Sequence, residues 1–324
     1  ISFRTGNRKL TFEPATEYDV RAVLFAARCE CRHVLTAFEL AWVDLPTEKL
    51  FHDLRVALDV TEQLSEASIA RTKLLCAVDA ACHAADLREH TEAPLPRAER
   101  RDPESAGFYA SVAAAQEAFD AAMAQVQGAA EAPEIVSVGH AHIDLAWLWP
   151  IKQTRHKCVR TFATQCRLLD QYGDWVFLQS QPQAYKWVEQ DAPELFEQMR
   201  AQIEAGRWEA EGAFWVESDT NLPSGESLVR QLLYGKRYFR EKLGVDSRFL
   251  WLPDVFGYPS SLPEILAGCG VEHFYTYKLH WQATNPFPSH LFRWRGIDGT
   301  EVLAHVVNHV GAYNNSPVPD ALHK

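Results

Sequence analysis

The sequence runs to 324 residues, 47% of them hydrophobic and 23% charged, the balance of an ordinary globular protein with a real core. Its formal net charge of -11 disfavours the phosphate backbone of a nucleic acid. No apolar run approaches the roughly 20 residues that a membrane-spanning helix needs, so neither nucleic acid nor membrane is an expected partner.

Up to about residue 133 the apolar residues recur at helical spacing, as in Leu54 with Leu58 and in Ile69, Leu74, Leu75 and Val78. Thr91 to Gly107 is rich in proline and charge and reads as a linker. An alanine-rich helix is expected from Ser111 to Ala130. Trp42 is the sole tryptophan of this part and no chemistry is visible in it, so residues 1–133 read as a helical accessory region.

From residue 134 short apolar runs alternate with amphipathic helices. Strands are expected over Ile135–Gly139, Trp175–Gln179, Trp208–Trp215, Ser247–Leu252 and His273–Lys278, followed by a hairpin at Asp298-Gly299. Glu226 to Leu243 places Leu228, Val229, Leu232, Leu233 and Phe239 on one helical face. Ser261 and Glu264 have capping-box spacing, and Gly268 to Gly270 supply a helix stop. Strands alternating with helices predict an α/β fold with a mostly parallel, barrel-like sheet over residues 134–324. In such sheets chemistry gathers at the C-terminal strand ends.

Three motifs sit at those ends. His140-Ala141-His142-Ile143-Asp144 follows the first strand, and in extended chain its two imidazoles and its carboxylate share a side. That donor set suits a borderline metal such as zinc. Asp254 leaves the apolar run Phe249-Leu250-Trp251-Leu252-Pro253, where an ionised carboxylate requires a cation or hydrogen bonds. The stretch Glu211 to Ser224 joins acids to tryptophans; carboxylates accept from sugar hydroxyls and aromatic faces stack on a pyranose. Lys278 ends the next strand and is placed to neutralise a carboxylate or hold a hydroxyl. His305 and His309 share a strand face without pointing to a function.

These motifs together resemble glycoside hydrolase family 38, the retaining, zinc-dependent α-mannosidases, in their bacterial form. The likeness runs through the Gly139–Pro150 motif, Gln179-Ser180-Gln181-Pro182, Trp215-Val216-Glu217 with Asp219 and Asn221, the Trp251–Gly257 motif and Gly296-Ile297-Asp298-Gly299. The resemblance implies zinc as cofactor, with His142, Asp144 and Asp254 as ligands and Asp254 also as nucleophile. Trp147 and Phe256 would line the sugar subsite, with Asp219, Lys278 and His140 as further substrate-binding residues. The substrates implied are α-mannosides or mannose-containing oligosaccharides. A retaining glycosidase works through two carboxyl groups roughly 5–5.5 Å apart. The family's fourth zinc ligand and its acid/base aspartate lie further along the chain than the motifs seen here. The sequence also opens at Ile1 without an initiator Met and stops at His323-Lys324, so it is expected to be a piece of a longer protein, with a C-terminally truncated catalytic domain inactive by itself. Two other functions fit the residues. A zinc-dependent polysaccharide deacetylase would use Asp144 or Asp254 as general base. A non-catalytic carbohydrate-binding module would use the acids and tryptophans to hold sugar. The seven cysteines match no disulfide framework, and with no signal peptide a cytoplasmic location with reduced thiols is expected.

Overall fold

The computed structural model describes residues 44–87, 106–126, 137–281, 284–285 and 287–307. They form two compact units, one of helices and one of mixed α/β structure.

The helical unit contains α1 (Leu45–Gln63), α2 (Ile69–Ala84) and α3 (Ala106–Met123). Asp44 caps α1, its carboxylate accepting from the Thr47 backbone amide at 3.0 Å and from the Thr47 hydroxyl at 2.6 Å. Leu50, Leu74, Val112 and Phe119 close over Ala57, Ala77, Ala81 and Ala115, small residues that let the three helices approach. The third helix begins at Ala106, so Gly107, expected in the linker, is helical, and the helix ends at Met123 rather than at Ala130. Residues 127–130 lie outside the described residues, as do Thr91–Ser105 of the expected linker.

The α/β unit runs β1 (Gly139–His140), α4 (Ile151–Gln171), β2 (Phe177–Gln179), α5 (Pro182–Asp191), α6 (Pro193–Glu204), β3 (Trp208–Ala210) and α7 (Gly225–Tyr238). Then follow β4 (Phe249–Leu252), α8 (Leu262–Gly268), β5 (His273–Thr276), β6 (Leu291–Arg295) and β7 (Glu301–Val306). β1, β2 and β3 pair in parallel. β4, β5 and β7 also pair in parallel, with β6 antiparallel at the edge. A parallel bridge from Gly212 to Leu250 links the two sheets, so the strand order follows the chain order from β1 to β5. The connections from β1 to β5 each carry at least one helix, the arrangement that buries both faces of a parallel sheet.

Two apolar clusters hold this unit. Phe162, Tyr185 and Trp208 meet edge-to-face beneath β1–β3, joined by Phe177 on Trp208. Leu250, Leu252, Phe274, Val302 and Ala304 pack against Leu228, Leu232, Leu262 and Leu266 from α7 and α8.

The strands are shorter than expected. The run Trp208–Trp215 leaves the sheet after Ala210, because Gly212 (φ 130°) and Ala213 (φ 54°) turn the backbone out of the extended region. On α7, Leu228 and Leu232 are buried but Leu233 is half exposed, and Phe239 belongs to a π-turn, Phe239–Leu243, that ends the helix. Ser261 precedes α8 without a side-chain cap, correcting the capping-box expectation: its own backbone is already helical (φ -87°, ψ -3°). The hairpin at Asp298-Gly299 is present, with Asp298 accepting from the Thr300 amide at 2.8 Å. Cys76, Cys82, Cys158, Cys166 and Cys269 are free thiols, and Cys29 and Cys31 lie outside the described residues. Among the described residues no helix is long and apolar enough to cross a membrane.

Candidate metal centre

The chain leaves β1 after His140 and runs without regular structure to Asp144, bending from Leu145. His142 and Asp144 stay together on this segment, the imidazole Nε2 lying 3.2 Å from Asp144 Oδ1. From the end of β4, Asp254 brings Oδ2 to 3.5 Å from the same Nε2. One ligand atom from each of these three residues lies within 4.8 Å of the others. A shared ion bonded at about 2.0–2.2 Å requires ligand atoms within about 4 Å of each other. The two distances from His142 Nε2, 3.2 and 3.5 Å, lie inside that limit, and the mixed nitrogen and oxygen donors suit a zinc-like cation.

His140, the other imidazole of the motif, stands apart. It packs on Trp251, ring centroids 5.0 Å apart, with its Nε2 buried and no hydrogen-bond partner for that atom. Burial drives its pKa down to about 4, so it is a neutral ring. Trp251 reaches it because β4 buries Leu250 and Leu252 on one face, which leaves Trp251 on the other, stacked on Tyr275 at 3.8 Å.

The second oxygen of Asp254, Oδ1, lies 2.6 Å from Lys278 Nζ, a buried ammonium. Lys278 lies over the rings of Trp281 at 3.6 Å and Phe256 at 4.9 Å. Both rings are largely exposed, so aromatic surface is available to a ligand there; Trp147 is also exposed, and its ring meets Trp149 edge-on. The Asp254 loop is tied down by Tyr258, whose hydroxyl donates toward Leu252 O and Val255 O and sits 2.5 Å from Thr276 Oγ1. Thr220 Oγ1 donates to Gly257 O at 2.6 Å, fastening the loop after β3 to the loop after β4.

Glu217 stands behind His142. Its Oε2 lies 2.6 Å from His142 Nδ1, and its side chain is almost wholly buried. Burial of His142 opposes its charge, but the Glu217 and Asp144 carboxylates outweigh that and raise its pKa to about 9. Ser180 Oγ donates to Glu217 Oε1 at 2.5 Å. The Gln181 amide donates to Ile143 O at 2.9 Å while its carbonyl accepts from Glu217 N at 3.1 Å. Gln181 does this from a left-handed backbone (φ 66°). Close approach at Ser180 demands a glycine opposite: a Cβ on Gly212 would fall 2.7 Å from Ser180 Cβ. The chain around Glu217 is templated by α7, where Gln231 accepts from Trp215 N through its carbonyl and from Val216 N through its side chain, both at 3.0 Å.

The sequence points to acids in this loop but names Asp219 rather than Glu217 as the one facing substrate. Asp219 is exposed, and its Oδ1 accepts from the Asn221 and Leu222 amides at 2.8 and 2.7 Å, closing a turn. The sequence signal for Glu217 is weak, since an acid beside tryptophans at a strand end serves equally as a surface group. His305 is on an exposed face of β7, and His309 lies outside the described residues.

Residues 132–321 match the glycosyl hydrolases family 38 N-terminal domain. Alpha-mannosidase G of Dictyostelium discoideum is 47% identical over 169 residues, covering 52% of this chain and 16% of that protein. Human alpha-mannosidase 2C1 is 44% identical over 171 residues, covering 53% of this chain and 16% of that protein. Among solved structures, an alpha-mannosidase from Enterococcus faecalis V583 aligns with a TM-score of 0.48 at 21% identity, over 53% of this chain and 20% of its own. The chain thus spans 16% of the length of these curated relatives. With more than half of its residues matched, the chain belongs to glycosyl hydrolases family 38.

Proposed function

We propose that this chain carries the metal-binding part of an α-mannosidase site, which hydrolyses terminal α-D-mannosidic bonds with retention of configuration. The observation that carries this proposal is the cluster of His142, Asp144 and Asp254 at the ends of two parallel strands, in a chain whose named relatives are alpha-mannosidases. His142, Asp144 and Asp254 would hold the zinc, which would supply a Lewis acid for the sugar hydroxyls and so favour the distorted ring. Asp254 is the nucleophile. Lys278 holds its Oδ1, which orients the carboxylate. Attack on the anomeric carbon forms a glycosyl ester on Asp254 and breaks the bond to the leaving oxygen, which a second carboxyl protonates. That same carboxyl then deprotonates the water that hydrolyses the ester. Trp147 and Phe256 offer faces to the sugar, and His140, Asp219 and Lys278 border it.

The acid/base carboxyl, the fourth metal ligand and the strands that would close a barrel are proposed to come from residues outside this sequence, so the 324 residues alone are expected to turn over no mannoside. The test is the full-length enzyme on an aryl α-mannoside, before and after chelation and with zinc restored. Loss and recovery support the proposal. Full activity after complete metal removal refutes the zinc role, and release of acetate from an acetylated glycan instead of sugar would favour a deacetylase.

A further inference from the structure

We propose that Glu217 is the positioning residue of the metal centre, holding His142 from behind so that Nε2 presents its lone pair to the cation between Asp144 and Asp254. This rests on the proposed metal role of those three residues. An imidazole can bind a metal through either nitrogen, and the hydrogen bond made by the other selects which. Here Glu217 Oε2, 2.6 Å from Nδ1, gives that nitrogen an anionic partner on the side away from Asp144 and Asp254. Nε2 is then left facing Asp144 Oδ1 and Asp254 Oδ2.

The carboxylate itself is anchored. Ser180 binds its Oε1, and Gln181 binds its backbone amide while gripping Ile143 O, midway between the two ligands on the β1 loop. Movement of Glu217 would therefore be felt by His142 through the ring and by Asp144 through the Gln181 clamp. An acid serving only as a core or surface group would not need contacts to both arms. Glu217 touches no reacting atom in this arrangement, and it acts through His142. Outer partners of metal-bound histidines contribute about 10- to 100-fold in metal affinity.

The test titrates zinc into the 324-residue chain in competition with a chromophoric chelator, comparing wild type, Glu217→Gln, Asp254→Asn and the exposed control Glu226→Gln. Long-range nitrogen–proton NMR of the histidines reports the His142 tautomer alongside. The expected result is wild-type affinity for Glu226→Gln, about 10- to 100-fold weaker binding for Glu217→Gln, and near-complete loss for Asp254→Asn. The NMR should show Nδ1–H in zinc-bound wild type and a mixed population in Glu217→Gln. Zinc affinity of Glu217→Gln within about threefold of wild type, with Asp254→Asn still abolished, would overturn the inference and leave the metal centre standing. Wild-type affinity in Asp254→Asn would instead overturn the metal centre itself. If tryptophan fluorescence shows Glu217→Gln unfolded, Ser180→Ala takes its place; it keeps the carboxylate but frees one oxygen, and unchanged affinity and tautomer there would also overturn the inference.

Discussion

Replacing Gly235 with alanine sets two opposing effects against each other. Gly235 is a buried position inside α7, where alanine is intrinsically better than glycine by about 0.8–1.0 kcal/mol. Its missing side chain, however, faces the Ala213–Trp215 segment. A Cβ there would lie 2.0 Å from Ala213 O, 2.8 Å from Phe214 C and 2.9 Å from Trp215 N. All three atoms are backbone, so none can rotate aside, and the helix must retreat by more than about 1 Å to restore van der Waals contact. Forced shifts of this kind cost about 1–3 kcal/mol. A rigid obstacle belongs at the upper end, which leaves Gly235→Ala less stable by about 2 kcal/mol after the helix gain. Gly268, the last residue of α8, has nothing within 4 Å of its would-be Cβ and no left-handed backbone, so Gly268→Ala should be neutral or slightly stabilising. Urea unfolding followed by tryptophan fluorescence separates the two: with a slope of about 2 kcal/mol per molar, the Gly235→Ala midpoint falls by about 1 M. A Gly235→Ala protein as stable as wild type would show that the approach of α7 to the Ala213–Trp215 segment is not as described. The same variant should also disturb the Gln231 contacts that position Glu217.

Burial raises the pKa of Glu211, although the Ser247 hydroxyl and the Phe249 amide hydrogen-bond to it. A folded carboxyl whose pKa is raised binds its proton more tightly than in the unfolded chain, so its contribution to stability is largest at low pH and falls as pH rises through the shifted value. Glu211→Gln should therefore gain on wild type as pH rises from about 4 to 7, seen as a converging or crossing pair of urea midpoints; parallel midpoints would refute this. Lys278→Met removes the cation beside Asp254 and should cost about 1–3 kcal/mol in zinc-stripped protein, and less once zinc is bound, because the metal then compensates the carboxylate; thermal melts with and without zinc measure the difference. Gln181→Ala leaves Ile143 O and Glu217 N without partners and should cost about 1–3 kcal/mol. Gln181→Gly loses the same bonds but accepts φ 66° without strain, so it should unfold at higher urea than Gln181→Ala, and the reverse order would count against the left-handed backbone at this position.

The positions of the chemistry were readable as strand-end motifs. An apolar run can hardly end in His-x-His-x-Asp or Pro-Asp unless those groups have partners, so His140, His142 and Asp144, and separately Asp254, stood out after the run before Gly139 and after Phe249–Leu252. The hairpin at Asp298-Gly299 was equally legible, since its turn is satisfied locally by Asp298 and Thr300. Local pattern misled where the backbone departs from the extended form. Alternation placed His140 beside His142, but the strand ends at His140 and the ring turns to Trp251. Apolar residues carried the third strand on to Trp215, whereas Gly212 and Ala213 break it.

The sequence by itself determined the family resemblance and the alternation of strands and helices, because motifs and local periodicity act over a few positions; the choice of His142, Asp144 and Asp254 as a set followed from the resemblance. Only the tertiary structure decided that Glu217 backs His142, that Lys278 meets Asp254 and that Gln181 joins the β1 loop to the Glu217 loop. Those contacts span 75, 24, 38 and 36 positions in the numbering, from His142 to Glu217, from Asp254 to Lys278, and from Gln181 to Ile143 and to Glu217. Their partners are chosen by the register of parallel strands and by how closely backbones approach at glycines such as Gly212, and neither leaves a periodic mark in the chain.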